Sequence, residues 1–138
     1  MLCITDDEFD EVCQRALASI PERFAKDIDN VGFVIEDDPS PWHLSRLADG
    51  AVIKSPENPH GGKLLMGLYS GIALPRRGSG YGYGNVPDVI TIFKNPHLLV
   101  SANMEDLEER VRRTMVHEIG HYFGMDEDQL RAMGYGSS

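Results

Sequence analysis

Cysteine is nearly absent. Only Cys3 and Cys13 occur, with no C-x-x-C spacing between them. That excludes a disulfide framework and a cysteine-based metal site, and both are expected as free thiols at the edge of the core. Long hydrophobic runs are missing too, and no stretch approaches the roughly 18 apolar residues needed to cross a bilayer. The first residues, Met1 to Glu8, lack the basic and apolar segments of a secretory signal, so a cytoplasmic location is expected. Positive charge is in deficit, with 13 Lys and Arg against 22 Asp and Glu and a net charge of −9. That balance argues against a nucleic-acid partner and an anionic membrane, and is read as serving solubility. There is no internal repeat or low-complexity tract. The 138 residues suffice for one hydrophobic core, so residues 1–138 are read as a single domain and a monomer.

What the chain does have is concentrated near its C-terminal end. Val116-His117-Glu118-Ile119-Gly120-His121 contains H-E-x-x-H. On a helix, positions i and i+4 share a face, so His117 and His121 can offer ring nitrogens to one metal ion. Glu118 lies about a third of a turn round, placed for a water in the metal's open position rather than as a ligand. Zinc suits such a site because it takes mixed nitrogen and oxygen donors and keeps a fourth position for water. The setting reads as helical, with Asn103 as N-cap and Glu105 and Asp106 in the first turn. Leu107, Val111, Met115 and Ile119 then form a core stripe, with Arg110, Thr114, His117 and His121 on roughly the opposite face. Gly124 marks the helix end and turns the chain into Asp126-Glu127-Asp128. Beyond Asp128 there is no further Asp, Glu, His or Cys, so a downstream third ligand must be Asp126, Glu127 or Asp128, with the spacing favouring Glu127.

His117-Glu118-Ile119-Gly120-His121-Tyr122-Phe123-Gly124-Met125-Asp126-Glu127 resembles the extended zincin signature H-E-x-x-H-x-x-G-x-x-[H/D/E]. With Leu68 to Leu74, Pro87 to Phe93 and Val111 to Thr114 upstream, most of the chain is similar to the small bacterial zincin-like metallopeptidases, or minimal zincins. The resemblance implies Zn2+ held by His117, His121 and Glu127, with Glu118 as general base in peptide-bond hydrolysis. It also implies a peptide or protein substrate paired along a sheet edge, for which Gly67 to Leu74 is the candidate. Relatives commonly carry aspartate where Glu127 stands, and the methionine turn of the metzincins has no counterpart here.

The remaining elements are read from local signals. Thr5-x-x-Glu8 is a capping box before the apolar face Phe9, Val12, Ala16 and Ile20, and a second helix is expected from Pro21. Val31 to Glu36 and Val89 to Phe93 read as strands, and Leu64 to Leu74 as one or two strands interrupted at Gly67 and Gly71. Residues 37–63 read as loop with one helical turn from Trp42 to Ala48, Trp42 serving as a partly buried anchor. Residues 75–86 read as a glycine-rich flap in which Tyr81 or Tyr83 is a candidate oxyanion donor. His97 is expected in a loop after Pro96. The fold expected is α+β, a minimal zincin-like arrangement with a small twisted mixed sheet packed against the H-E-x-x-H helix. Two alternatives use the same ligands: a non-catalytic metal-dependent peptide-binding or regulatory module, and a latent peptidase that needs activation.

Overall fold

The structure is a computed structural model. It describes residues 2–22, 31–46, 50–54, 63–71 and 88–132, with the side chains of Lys54 and Glu127 outside that description. Its elements are α1 (Asp6–Ala18), β1 (Val31–Glu36), α2 (Pro41–Ser45), β2 (Ala51–Lys54), β3 (Lys63–Ser70), β4 (Asp88–Phe93), α3 (Lys94–Val100), α4 (Met104–Tyr122) and α5 (Glu127–Ala132). The expected helix beyond Glu22, the glycine-rich segment 75–86 and residues 72–74 lie outside the described residues.

α1 starts where its capping box directs. The Thr5 hydroxyl accepts from Glu8 N at 3.1 Å, and Thr5 N donates back to the Glu8 carboxylate at 2.8 Å. These bonds satisfy two backbone donors that the helix cannot pair internally. Its apolar face (Phe9, Val12, Cys13, Ala16) is buried, while Cys3 is exposed.

The four strands form one sheet in the order β1-β4-β3-β2. β1 runs parallel to β4, and β3 is antiparallel to both β4 and β2. Strand β2 was not expected, since residues 37–63 read as loop around one helical turn. β3 continues through Gly67 without a break, pairing there with Ala51 on one side and Ile92 on the other. Of the expected edge, Gly67 to Leu74, Gly67 is therefore paired on both sides. Only Leu68 to Ser70 extend past β2, keeping β4 on one side.

The main core lies between the sheet, α1 and α4. Phe9, Val12 and Ala16 from α1 meet Leu107, Val111, Met115 and Ile119 from α4 over Tyr69, Ile90 and Ile92. Each fully buried aliphatic or aromatic side chain contributes about 1.5–3 kcal/mol relative to exposure, so this stripe fixes which way α4 faces. α3 also departs from expectation. Pro96 does not break the chain but sits in the helix's first turn, where its missing N–H removes no helical bond. Trp42 is another correction: it is 52% exposed, stacking edge-on against His43 and under the Arg46 guanidinium. No helix among the described residues is long and apolar enough to cross a membrane.

Candidate metal centre

α4 carries the H-E-x-x-H residues, and both of its ends are fixed by hydrogen bonds. The Asn103 side chain accepts from Asp106 N at 2.9 Å as N-cap. At the other end Gly124 adopts φ 81°, a left-handed conformation that glycine takes without steric penalty. Met125 N donates to Gly120 O and Gly124 N to His121 O, each at 2.9 Å, the paired bonds of a Schellman motif. The chain then reverses into α5, whose Leu130 is fully buried. Leu130 lies so close to Gly120 that a Cβ on that glycine would overlap it.

Rooted this way, α4 buries His117 at 2% and Glu118 at 0% exposure and brings His121 beside them. The His117 and His121 rings meet edge to face, 4.6 Å apart and 81° between planes. Glu118 Oε2 lies 2.6 Å from His117 Nδ1. With the carboxylate as acceptor, His117 Nδ1 carries the ring proton, and Nε2 is then the nitrogen that would bind a metal. The other carboxylate oxygen, Oε1, accepts from the backbone N–H of Tyr69 in β3 at 2.7 Å. Glu118 thus sits nearer the histidines than helical spacing alone suggested, because its long side chain folds back between ring and strand.

The donor set suits zinc. His117, Glu118 and His121 present ligand-type atoms within 4.8 Å of one another, somewhat wider than the roughly 3.4 Å between donors on a tetrahedral zinc ion, so the side chains would draw in to bind one. The two imidazoles supply the nitrogen half of the mixed donor set that zinc takes, and an oxygen ligand other than Glu118 would complete it.

Strand β3 approaches α4 closely at this point. A Cβ on Gly67 would lie 2.5 Å from Thr114 Cγ2, 3.0 Å from Thr91 O and 3.6 Å from Glu118 Cγ. Thr114 is in turn bonded to His97, which is fully buried in α3 and not in the expected loop. His97 Nδ1 is 2.7 Å from Phe93 O, and Nε2 is 2.9 Å from Thr114 Oγ1. A carbonyl only accepts, so Nδ1 bears the proton. Burial pushes the His97 pKa down to about 4, with help from nearby Arg110 and against the bond to Phe93 O. The ring is therefore neutral near pH 7 with Nε2 bare, and the Thr114 hydroxyl shares its one hydrogen between that nitrogen at 2.9 Å and Arg110 O at 3.0 Å. The Tyr69 hydroxyl, on the same face of the sheet as α4, donates to buried Asp88 at 2.9 Å.

The three candidates for a further ligand separate. Asp126 Oδ1 accepts from Gln129 N at 2.8 Å, and Asp126 N donates to Gln129 Oε1 at 2.9 Å, so this carboxylate caps α5. Asp128 pairs with Arg131 at 2.9 Å on an exposed face. Glu127 opens α5, but its side chain lies outside the described residues, as do His60, Tyr81, Tyr83 and Met133. His43 stays apart from the cluster, its Nδ1 within 2.9 Å of Ser40 N and 2.8 Å of Ser40 Oγ. Gly67 and Tyr69 were expected only within the substrate-pairing edge and Thr114 only on the face of the two histidines; the contacts of Tyr69 N–H, Gly67 and Thr114 around Glu118 were not foreseen. The spacing of Thr114, one turn before Glu118, was the available signal for one of them.

Comparison with known proteins adds to this geometry. No curated protein matches the chain. A solved structure of a conserved hypothetical protein from Thermo thermophilus is similar in fold, with a TM-score of 0.52 at 20% identity. The match covers 87% of this chain and 94% of that one. The profile of the zincin-like metallopeptidase family matches residues 28–136. That span takes in the whole sheet, α4 and α5 together, and the chain belongs to the zincin-like metallopeptidase family.

Proposed function

We propose that the chain is a zinc-dependent peptidase in which His117, His121 and Glu127 hold the metal and Glu118 is the general base. The observation that carries this reading is the buried cluster of two imidazoles and one carboxylate on successive turns of α4. Family membership supports the reaction class. Glu127 is favoured as third ligand because Asp126 is committed to capping α5 and Asp128 to Arg131. Zinc bound there would polarise a scissile carbonyl and lower the pKa of an attacking water.

Glu118 accepts the water's proton on its carboxylate and returns it to the leaving amine nitrogen. Each carboxylate oxygen has two lone pairs, so Glu118 can take that proton while Tyr69 N–H still orients it. His117 uses Nδ1–H to hold the same carboxylate, which fixes its own tautomer with Nε2 as the metal-binding nitrogen. The burial of His117 and Glu118 excludes bulk water and strengthens both contacts.

Glu118→Gln tests the base. The amide keeps the shape and the Tyr69 contact but cannot take a proton, so zinc content should stay at the wild-type value. Peptide cleavage, followed by mass spectrometry on a peptide library, should fall by about 100-fold or more. Cleavage at the wild-type rate would refute the mechanism. One observation favours the latent alternative: both Glu118 oxygens are already engaged, by His117 and Tyr69. An enzyme that cleaves peptides as isolated would set that alternative aside. One that binds a hydroxamate through zinc but cleaves nothing would favour it.

A further inference from the structure

We propose that Thr114 is a positioning residue for Glu118: held by His97, it seats its methyl beneath Gly67 and so sets the strand-to-helix spacing at which Tyr69 N–H grips the carboxylate. The functional part rests on the reading of Glu118 as the base, whereas the structural part stands without it.

Three contacts form a chain. His97 Nε2 at 2.9 Å and Arg110 O at 3.0 Å both meet the Thr114 hydroxyl, and together they select one of the side chain's rotamers, since any other would carry the hydroxyl away from both. With the hydroxyl fixed, Cγ2 points at Gly67, where a Cβ would come within 2.5 Å of it. Two residues along the same strand, Tyr69 N donates to Glu118 Oε1 at 2.7 Å. Thr114 and Glu118 are one helical turn apart on the same face, and residues 67 and 69 of β3 share a sheet face. The strand therefore touches α4 at two successive points, a steric one at Thr114 and a hydrogen bond at Glu118. A change of spacing at the first carries over to the second.

The test is a size exchange across the contact. Gly67→Ala adds the methyl that Thr114 already supplies, and Thr114→Ser removes it while keeping the hydroxyl on His97. Tyr69 amide exchange, read by NMR on metal-free protein, should speed up at least tenfold in Gly67→Ala. Val12, in α1 and away from the exchanged contact, should keep its protection. Thr114→Ser alone should also speed exchange at Tyr69. On the Gly67→Ala background the same substitution should slow it again, a reversal of sign that only direct coupling produces. The rescue will be partial, because Thr91 O still lies 3.0 Å from the new Cβ.

In the zinc-loaded protein, kcat on library peptides should fall by up to about 100-fold in Gly67→Ala and recover in the double variant, with KM little changed. A double variant no better than Gly67→Ala at Tyr69 overturns the proposal. If Gly67→Ala does not fold, Thr114→Ser decides alone, and an unchanged Tyr69 amide overturns it. Should wild type cleave nothing, the amide measurements still stand, and only the assignment of Glu118 as base has failed.

Discussion

His97 makes the stability of this protein depend on pH in a calculable way. Its ordinary pKa is 6.5, and burial lowers it to about 4 in the folded chain. In the unfolded chain the ring takes a proton as pH falls below 6.5, while the folded protein refuses it until about pH 4. Above pH 6.5 the ring's contribution is fully present, and it is lost as pH falls through the window from 6.5 to 4. At about 1.4 kcal/mol per unit, the full loss is about 3 kcal/mol, and between pH 7.5 and pH 5 it is about 2 kcal/mol. The comparison needs a reference that lacks only this group. His97→Gln cannot titrate but keeps a donor and an acceptor. Urea unfolding of both proteins, with a chelator to remove metal linkage, should show wild type leading the variant at pH 7.5. That lead should shrink by about 2 kcal/mol at pH 5. A lead equal at the two pH values would mean that His97 is not buried neutral against Thr114 and Phe93.

Three further outcomes follow from other parts of the structure. Gly120→Ala should lower the melting temperature and weaken zinc binding in a competitive chelator titration. Overpacking against Leu130 costs about 1–3 kcal/mol, which outweighs the roughly 1 kcal/mol of helix propensity gained. A higher melting temperature with unchanged zinc affinity would show that α5 is not pressed onto the metal helix. Cys13 should resist iodoacetamide at pH 8 in the native protein while Cys3 reacts, since burial pushes the Cys13 thiol up to about 12 and Cys3 is exposed. Equal labelling by mass spectrometry would contradict the packing of α1. His117→Ala should lose zinc on dialysis, and retained metal at wild-type stoichiometry would remove that residue from the ligand set.

The elements legible in the sequence were those whose signals are local and redundant. α1 announced itself by a capping box and α4 by an N-cap, an acidic first turn and a four-residue apolar repeat. The β-branched run of β4 was equally plain. The helical setting brought His117 and His121 onto one face, and Glu118 joins them because its side chain folds back. What stayed hidden depends on tertiary contact. β2 is four residues long among prolines and glycines, and it is a strand because β3 offers it a partner. Pro96 read as a breaker because its place in a first turn depends on where α3 begins. Gly67 read as an interruption because the sequence does not contain the methyl of Thr114 that occupies its missing Cβ. The grip on Glu118 comes from a backbone N–H, a group every residue but proline possesses, so no residue type at position 69 could have marked it.

X-ray absorption at the zinc edge of dialysed, zinc-loaded protein tests the central claim most directly. The account predicts one ion per chain with two imidazole nitrogens at about 2.0–2.1 Å and oxygen in the remaining positions. A spectrum without imidazole scattering, or no zinc retained at saturating metal, would contradict it.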